Sequence, residues 1–236
     1  MKTFLVNRAK LSIALPFIIL GLIPVALPDS DYEQSVLIVC FLFAIMASGW
    51  NIISGFAGYV SLGHSVFLGI GMYTGSILGQ YFNLPTYYFF LVAMLVSVLI
   101  AVIIGAVILR TKSHSFVIIT IALLLSVQLI FSNWRSFTGG AEGIIFRSPS
   151  WVRQLGNMPY YYMFFTIFLL TISLVWFITR SRLGAGFIAI RDDEAKAGSI
   201  GINTTQYKII AYGLSAAPFG LAGAVYAQYL GFVNPI

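Results

Sequence analysis

The sequence predicts an all-α, polytopic helical membrane protein with about seven transmembrane segments, one of them short or broken. Of its 236 residues, 59% are hydrophobic and 8% are charged, and the mean hydropathy is +0.94. Soluble proteins carry about 25% charged residues, and a soluble domain of this size could not cover its surface with so few. The composition therefore excludes an ordinary soluble enzyme, a disordered chain and, despite the net charge of +6, a nucleic-acid-binding domain.

Long apolar runs are the second observation behind this prediction. Six charge-free segments contain 17 to 24 residues, which is enough to cross a hydrocarbon core of about 30 Å at about 1.5 Å per residue. A seventh, 66–79, has 14 residues; we expect it to be half of a broken helix or to extend to about Tyr81. The runs lack the alternation that is typical of a β-barrel. The six longer segments are 11–27, 35–53, 86–109, 115–131, 160–178 and 209–230.

The distribution of basic residues is the third observation, and it predicts a cytoplasmic N-terminus. With seven crossings, ten of the thirteen lysines and arginines fall on one side of the membrane and three on the other. The side richer in basic residues is normally cytoplasmic. The segment 66–79 has to count as a crossing, because without it Arg110 and Lys112 would fall on the wrong side. The sequence therefore predicts a multi-pass protein of the inner or plasma membrane.

Features near the segment ends complete this picture. The segment 11–27 is long for a secretory signal, and Val25-Ala26-Leu27 is a poor cleavage site, so we expect an uncleaved first helix. The only cysteine, Cys40, excludes an internal disulfide and is expected to be a small buried side chain. Aromatic residues near segment ends are expected to anchor the protein at the membrane interface; they are Trp50, Trp134, Trp151, Trp176 and the run Tyr160-Tyr161-Tyr162.

None of the seven segments contains an Asp, Glu, Lys or Arg residue. Transporters driven by protons or ions commonly use ionisable groups within the membrane, although a sodium site built from backbone carbonyls remains open. If the chain moves a solute uphill, the free energy is expected to enter through a partner. The chain also lacks a G-x-x-x-x-G-K-[ST] motif, so no nucleotide site is expected in it.

A Gly-rich polar stretch, 49–65, follows the second segment. Four glycines in seventeen residues do not favour a plain lipid-facing helix. One interpretation is a discontinuous element that lines a solute path, since irregular backbone at membrane depth is tolerated only against protein or a watery cavity. The other is a connecting loop at the cytoplasmic surface. On the first interpretation Asn51, Ser54, Ser61 and His64 are candidate pathway residues; a catalytic Ser61–His64 pair is not favoured, because no carboxylate lies nearby in sequence.

Two predicted loops carry further polar residues. In the external loop 132–158, Gly139 and Gly140 allow a tight turn whose backbone N–H groups could receive a carboxylate, so both join the candidate pathway residues; a plain surface turn is the alternative. In the cytoplasmic loop 180–208, Asp192 is expected to cap a short helix with Asp193 and Glu194 in its first turn. Such a helix either docks to another protein or rests on membrane lipid.

These regions together resemble the LivM-type permease of the branched-chain amino-acid ABC importers. The matching stretches are 51–79, 133–143 and 184–231, and the most specific match runs from Ile190-Arg191-Asp192-Asp193-Glu194 through Gly201-Ile202-Asn203 to Gly220-Leu221-Ala222-Gly223-Ala224. The resemblance implies a permease that carries leucine, isoleucine, valine or related small amino acids and amides. It also implies that Arg191, Asp192, Asp193, Glu194 and Gly201 lie where the permease couples to an ATPase.

The resemblance further implies the partners: a second, LivH-like permease, two cytoplasmic ATPase subunits that bind the ATP, and an extracytoplasmic amino-acid-binding protein. Residues 1–236 would form one permease domain with no cofactor or metal of its own. Two departures stand out: Gly198-Ser199-Ile200 replaces the usual Ala and Met residues, and the chain stops at Asn234-Pro235-Ile236 where the family continues, so a C-terminal truncation is expected. The alternatives are a secondary transporter or channel that works without ATPases, and an intramembrane enzyme.

Overall fold

The computed structural model describes residues 15–26, 30–82, 87–111, 113–145 and 155–235. Its helices are α1 (Leu15–Ala26), α2 (Asp31–Asn51), α3 (Val66–Phe82), α4 (Tyr87–Ile108), α5 (Ser113–Asn133), α6 (Arg135–Thr138), α7 (Met158–Arg180), α8 (Arg182–Asp192), α9 (Glu194–Ser199) and α10 (Thr204–Leu230). A π-helical turn, Ile52–Phe56, continues α2, and a 3-10 turn, Gly140–Glu142, follows α6. The strands β1 (Ile144–Ile145) and β2 (Phe232–Val233) form an antiparallel pair.

Within the described ranges, five helical stretches are long and apolar enough to cross a membrane: Asp31–Phe56, Tyr88–Ile108, His114–Asn133, Met158–Arg180 and Thr204–Leu230. They confirm the prediction of an all-α, polytopic membrane protein. The short segment predicted at 66–79 is helical from Val66 to Phe82, so the extension past Gly79 is confirmed. The count of seven crossings and the direction of the N-terminus stay predictions.

Helix α10 lies at the centre of the bundle, and α5 lies at its edge. In the most apolar window of α10, 67% of the residues are buried, against 11% in α5. Small residues let α3 approach α10 closely: a Cβ on Gly71 would lie 2.2 Å from the Gly220 carbonyl oxygen, and one on Gly223 would lie 2.2 Å from that of Leu68. Without a hydrophobic force between helices in lipid, such backbone proximity is the usual source of packing energy.

An aromatic cluster joins α2 to α7 and corrects two expectations. Tyr160 and Tyr161 are buried and donate hydrogen bonds to the carbonyls of Gln228 and Leu20, at 2.9 and 2.6 Å. The prediction that they are interfacial anchors is wrong, because their hydroxyls find carbonyl partners on neighbouring helices. Cys40 is exposed, so its predicted burial is also wrong; it lies on the face of α2 opposite this cluster.

The two ends of the bundle carry different structures. At one end, β1 pairs with β2 just after α10, with Ile144 opposite Val233 and Ile145 opposite Phe232. At the other end, α8 and α9 pack beside the start of α10. The predicted loop 180–208 is therefore two helices and a short connection, which leaves little of it irregular.

Candidate functional site

The Gly-rich stretch breaks the helical pattern inside the bundle. After the π-helical turn, residues 57–65 have no regular structure until α3 begins at Val66. Gly58 has a φ of +76°, and the Tyr59 amide donates to the Ile53 carbonyl at 3.2 Å, which closes the end of the turn. Short π-helical turns inside α-helices occur frequently at functional sites.

This irregular stretch reaches the middle of α10. The His64 ring lies against the rings of Tyr212 and Phe219, with centroids 5.5 and 4.7 Å apart. Both aromatic residues lie in the central part of α10, which has 27 residues and is about 40 Å long. The Leu62 amide also donates to the Thr120 hydroxyl, a full two turns into α5. The irregular backbone therefore lies within the helix bundle, against α5 and α10; that it lines a solute path stays a prediction.

Four buried polar atoms lie in this region, and none of them has a hydrogen-bond partner among the residues that the structure describes. They are the Ser61 hydroxyl, both ring nitrogens of His64 and the Tyr212 hydroxyl. Ser61 lies near the Tyr212 hydroxyl, and the Ser215 backbone lies near the His64 ring. Neither contact has hydrogen-bonding geometry. Buried polar groups in proteins are almost always paired. We call these three side chains the Ser61–His64–Tyr212 cluster; it can bond to water or to a small polar solute.

Two clefts near the cluster share Ser65. One, of about 350 Å³, borders α2 and includes Ser61 and His64; the other, of about 250 Å³, lies between α3 and α5. Tyr73, whose buried hydroxyl also lacks a hydrogen-bond partner, lines the second cleft. Both clefts are mainly apolar. The remaining residues of the first are Phe43, Met46, Ala47, Trp50, Leu62 and Phe219.

The structure does not bring the six candidate pathway residues together. Ser61 and His64 share one cleft, while buried Ser54 supports them by accepting from the Ser61 amide at 3.3 Å. Asn51 is exposed, and its side chain lies against Gly55. Gly139 and Gly140 lie at the opposite end of the bundle and have the positive φ values, +73° and +62°, that a tight turn requires. Gly139 lines a separate cleft of about 460 Å³ with Gln80, Arg135, Ser136, Phe137, Gly143, Ile144 and Ile145.

The N-cap predicted at Asp192 is one residue later, at Asp193. Asp193 has an extended backbone, and its carboxylate accepts from the Lys196 amide at 3.0 Å, so Asp193 is the N-cap of α9. That bond, followed by the bond from the Lys196 side chain, lowers the pKa of Asp193 below its usual value. Asp192 instead ends α8. The prediction that Asp192 is the cap is wrong, because Asp192 already belongs to the preceding helix, α8. Helix α8 starts at the N-cap Ser181, whose hydroxyl accepts from the Gly184 amide.

The Glu194 side chain bonds to the irregular stretch and to the start of α10. Its carboxylate accepts from the Tyr59 hydroxyl at 2.6 Å and from the Lys208 ammonium at 2.6 Å. The ammonium also donates to the Tyr59 hydroxyl at 3.1 Å, and the Lys208 side chain is only 4% exposed. Burial acts to raise the pKa of Glu194, but the bonds from Lys208 and Tyr59 outweigh it, so the pKa lies below its usual value. We call these residues the Tyr59–Glu194–Lys208 cluster.

Of the remaining residues predicted to couple to an ATPase, Arg191 contacts the end of the π-helical turn and the residues after it, whereas Asp192 and Gly201 are exposed. Arg191 donates to the Gly55 carbonyl at 3.2 Å, and a Cβ on Gly58 would lie 2.7 Å from its Cγ. Asp192 bonds only to Arg191 and is 64% exposed. Gly201, at φ +90°, has open space around it and closes the turn after α9.

Sequence analysis missed Tyr59, Lys208 and Tyr212. Tyr59 and Lys208 are polar residues next to apolar runs, which is the only sign of their role in the local sequence. The contacts that bring them together with Glu194 join parts of the chain that are far apart in sequence. Tyr212 looked like any aromatic residue of a span. Among the residues that the structure describes, no three His, Cys, Asp or Glu side chains cluster as a metal site would require.

Comparisons with known proteins agree on one family. The profile of the family described as "Branched-chain amino acid transport system / permease component" matches residues 34–236. The high-affinity branched-chain amino acid transport system permease proteins LivM of Salmonella typhimurium strain LT2 and Escherichia coli strain K12 are 26% and 27% identical, over 99% of this chain and 59% of theirs. The autoinducer 2 import system permease protein LsrC of Salmonella paratyphi A is 26% identical over 99% of this chain and 67% of its own.

No solved structure matches the chain. The chain spans 59% of the length of the two LivM proteins that it matches. The family profile, in contrast, covers all but the first 33 residues of this chain. The protein therefore belongs to the family of branched-chain amino acid transport system permease components.

Proposed function

We propose that the protein is a transmembrane permease subunit of an ABC importer for leucine, isoleucine, valine or related small amino acids and amides. The observation that carries the proposal is the irregular stretch 57–65, which places the Ser61–His64–Tyr212 cluster inside the bundle, with Ser61 and His64 lining a cleft. Polar atoms without partners can bond to the polar groups of an amino acid, and the apolar lining suits an aliphatic side chain. Family membership and the LivM names of two relatives support the class of solute.

The energy source and the partners are part of the same proposal. The subunit acts with a second, LivH-like permease, two cytoplasmic ATPases and an extracytoplasmic binding protein; it binds no cofactor, catalyses no reaction itself and leaves ATP to its partners. Exposed Asp192 and the Asp193–Lys196 pair give α8 and α9 a polar surface suited to an ATPase. The basic residues Arg180, Arg182 and Lys196 at this end support a cytoplasmic position, with the protein in the inner membrane.

The deciding experiment is uptake of radiolabelled leucine by cells that express the chain with its partner subunits. Ser61→Leu should abolish most uptake, because the larger side chain fills the cleft beside His64. Ser173→Leu is the matched control, since Ser173 is exposed on α7 and bonds only to its own helix. Normal uptake by Ser61→Leu, at wild-type membrane abundance, would remove this cleft from the solute path.

Dependence on the ATPases separates the proposal from the alternative. Uptake should stop when the catalytic residues of the partner ATPases are disabled, and the ATPases should co-purify with this chain. Uptake that continues without ATP hydrolysis would instead indicate a secondary transporter or channel. Orientation is tested with an impermeant thiol reagent in a Cys40→Ser background: Glu142→Cys should react in intact cells, and Lys196→Cys should react only after permeabilisation.

A further inference from the structure

We propose that Glu194 is a positioning residue which fixes the irregular stretch 57–65 to α9, so that a movement of α9 opens or closes the Ser61–His64–Tyr212 cluster. The inference rests on the proposed function only for the cause of that movement, the ATPases. The link itself is a property of this chain.

The contact between α9 and the irregular stretch is strong. Glu194 bonds to Tyr59 and Lys208 at 2.6 Å each, and Lys208 bonds to Tyr59, which closes a triangle across three elements. Hydrogen bonds to ionised groups are about twice as strong as neutral ones. The Lys208 ammonium also lies 4.7 Å from the centre of the Tyr59 ring, within the range of a cation–π contact.

Hydrogen bonds connect Tyr59 to the Ser61–His64–Tyr212 cluster. The Ser54 hydroxyl donates to the Tyr59 carbonyl at 3.2 Å and accepts from the Ser61 amide at 3.3 Å. The Ser61 carbonyl in turn accepts from the Trp50 indole at 2.7 Å. A displacement of Tyr59 therefore acts on the backbone of Ser61 in two ways: through the Ser54 side chain and through the one residue that separates Tyr59 from Ser61.

The ends of two helices, α8 and α9, both contact residues 55–59, and one extended residue lies between the two helices. Arg191 at the end of α8 contacts Gly55 and Gly58, while Glu194 at the start of α9 holds Tyr59. Asp193, between them, has φ −162° and ψ 104° and can act as the hinge. The outward surface, with Asp192 and Lys196, is left free for a partner, so force applied there reaches residues 55–59 directly.

The test measures whether loss of the Glu194 charge loosens Ser61 alone. Ser61→Cys is introduced in a Cys40→Ser background, and its rate of reaction with N-ethylmaleimide is measured in membranes containing the assembled protein. Ser61 is 1% exposed, so the reaction should be slow. Adding Glu194→Gln should raise the rate roughly tenfold, since the lost charge-assisted bonds favour local opening. Arg182→Gln, which removes an exposed charge at the start of α8, away from the contacts of Arg191 and Glu194, should leave the rate unchanged.

A second thiol distinguishes positioning from general loosening of the fold. Ser76→Cys replaces a residue of α3 that is 2% exposed and distant in sequence from the cluster. Its reaction rate should not change with Glu194→Gln. Equal rates for Ser61→Cys with and without Glu194→Gln, or a parallel rise for Ser76→Cys, would overturn the inference. The readout needs no transport, so absence of uptake by the wild-type complex would reject the proposed function and leave this result standing.

Discussion

Two polar clusters, one partly and one fully buried, lie a few residues apart in this protein and are built in opposite ways. In the Tyr59–Glu194–Lys208 cluster the carboxylate, the ammonium and the hydroxyl all bond to one another. In the Ser61–His64–Tyr212 cluster, one turn further along α10, the hydroxyls and ring nitrogens form no hydrogen bond within the described part of the chain. Both clusters draw on the same irregular stretch and the same central helix.

The difference teaches how the two clusters contribute to function. A fully paired set of charged groups resists movement, because separating them would leave an ion without a partner in a dry environment. A set of neutral groups without partners costs stability, and it keeps bonding capacity available for water or a solute. The irregular stretch 57–65 therefore takes part in two different clusters. The Tyr59–Glu194–Lys208 cluster, next to α9, is fixed, and the Ser61–His64–Tyr212 cluster, inside the bundle, is receptive because it keeps bonding capacity for water or a solute.

The largest expected effect comes from breaking the paired cluster at its carboxylate. Glu194→Ala leaves the Lys208 ammonium, 4% exposed, without its counter-ion. Breaking a buried ion pair costs about 3–5 kcal/mol; because Glu194 is 40% exposed, we expect a loss of about 2–3 kcal/mol in the free energy of unfolding. Thermal unfolding of the detergent-purified protein measures it.

Lys208→Met is the matched control for this prediction. It leaves a carboxylate that can turn towards water, so its unfolding midpoint should fall by less than that of Glu194→Ala. The double variant Glu194→Ala/Lys208→Met should regain part of the loss, because no buried charge remains. Equal loss in both single variants would mean that the pairing of the two charges does not decide the stability of this region.

A smaller effect is expected from a pair of tyrosines that differ only in their partners. Tyr59→Phe removes the hydroxyl that bonds to Glu194 and Lys208 and should cost about 1.5–2 kcal/mol, as for a bond to a charged group. Tyr212→Phe removes a hydroxyl without a partner and keeps the ring contacts to His64 and Phe67. Its unfolding midpoint should match the wild type. A greater loss for Tyr212→Phe would show that its hydroxyl is bonded in the membrane.

The sequence predicted the fold well because lipid imposes simple requirements on it. Runs without charges must be helical, and five of the predicted segments correspond to long apolar helices. The predicted ends were less accurate. The last segment was expected from residue 209, whereas α10 starts at Thr204, because Glu194 neutralises Lys208 and lets a charged residue enter the buried part of a helix.

The candidate site was predictable in type and not in arrangement. Glycine, serine and histidine in one stretch indicated irregular backbone, and the structure has it there. Which residues meet depends on long-range packing: Tyr59 and Lys208 are 149 residues apart, and Tyr59 and Glu194 are 135 apart. The acids at 192–194 were all predicted to lie where the permease couples to an ATPase, but the extended backbone at Asp193 turns Glu194 inwards and leaves Asp192 outside.

The smallest expected effect compares two serines on the irregular stretch. The Ser54 hydroxyl donates to the Tyr59 carbonyl and accepts from the Ser61 amide, so Ser54→Ala should lower the free energy of unfolding by about 1 kcal/mol. The Ser61 hydroxyl has no hydrogen-bond partner, and removing such a group is neutral or slightly stabilising. Urea or thermal unfolding of the two alanine variants, side by side, measures the difference. If Ser61→Ala destabilises the protein as much as Ser54→Ala does, then the Ser61 hydroxyl is already bonded within the protein, and the contrast between a fixed and a receptive cluster does not hold at this residue. If Ser61→Ala is neutral for stability while it weakens leucine uptake, then the bonding capacity of that hydroxyl serves the solute rather than the fold.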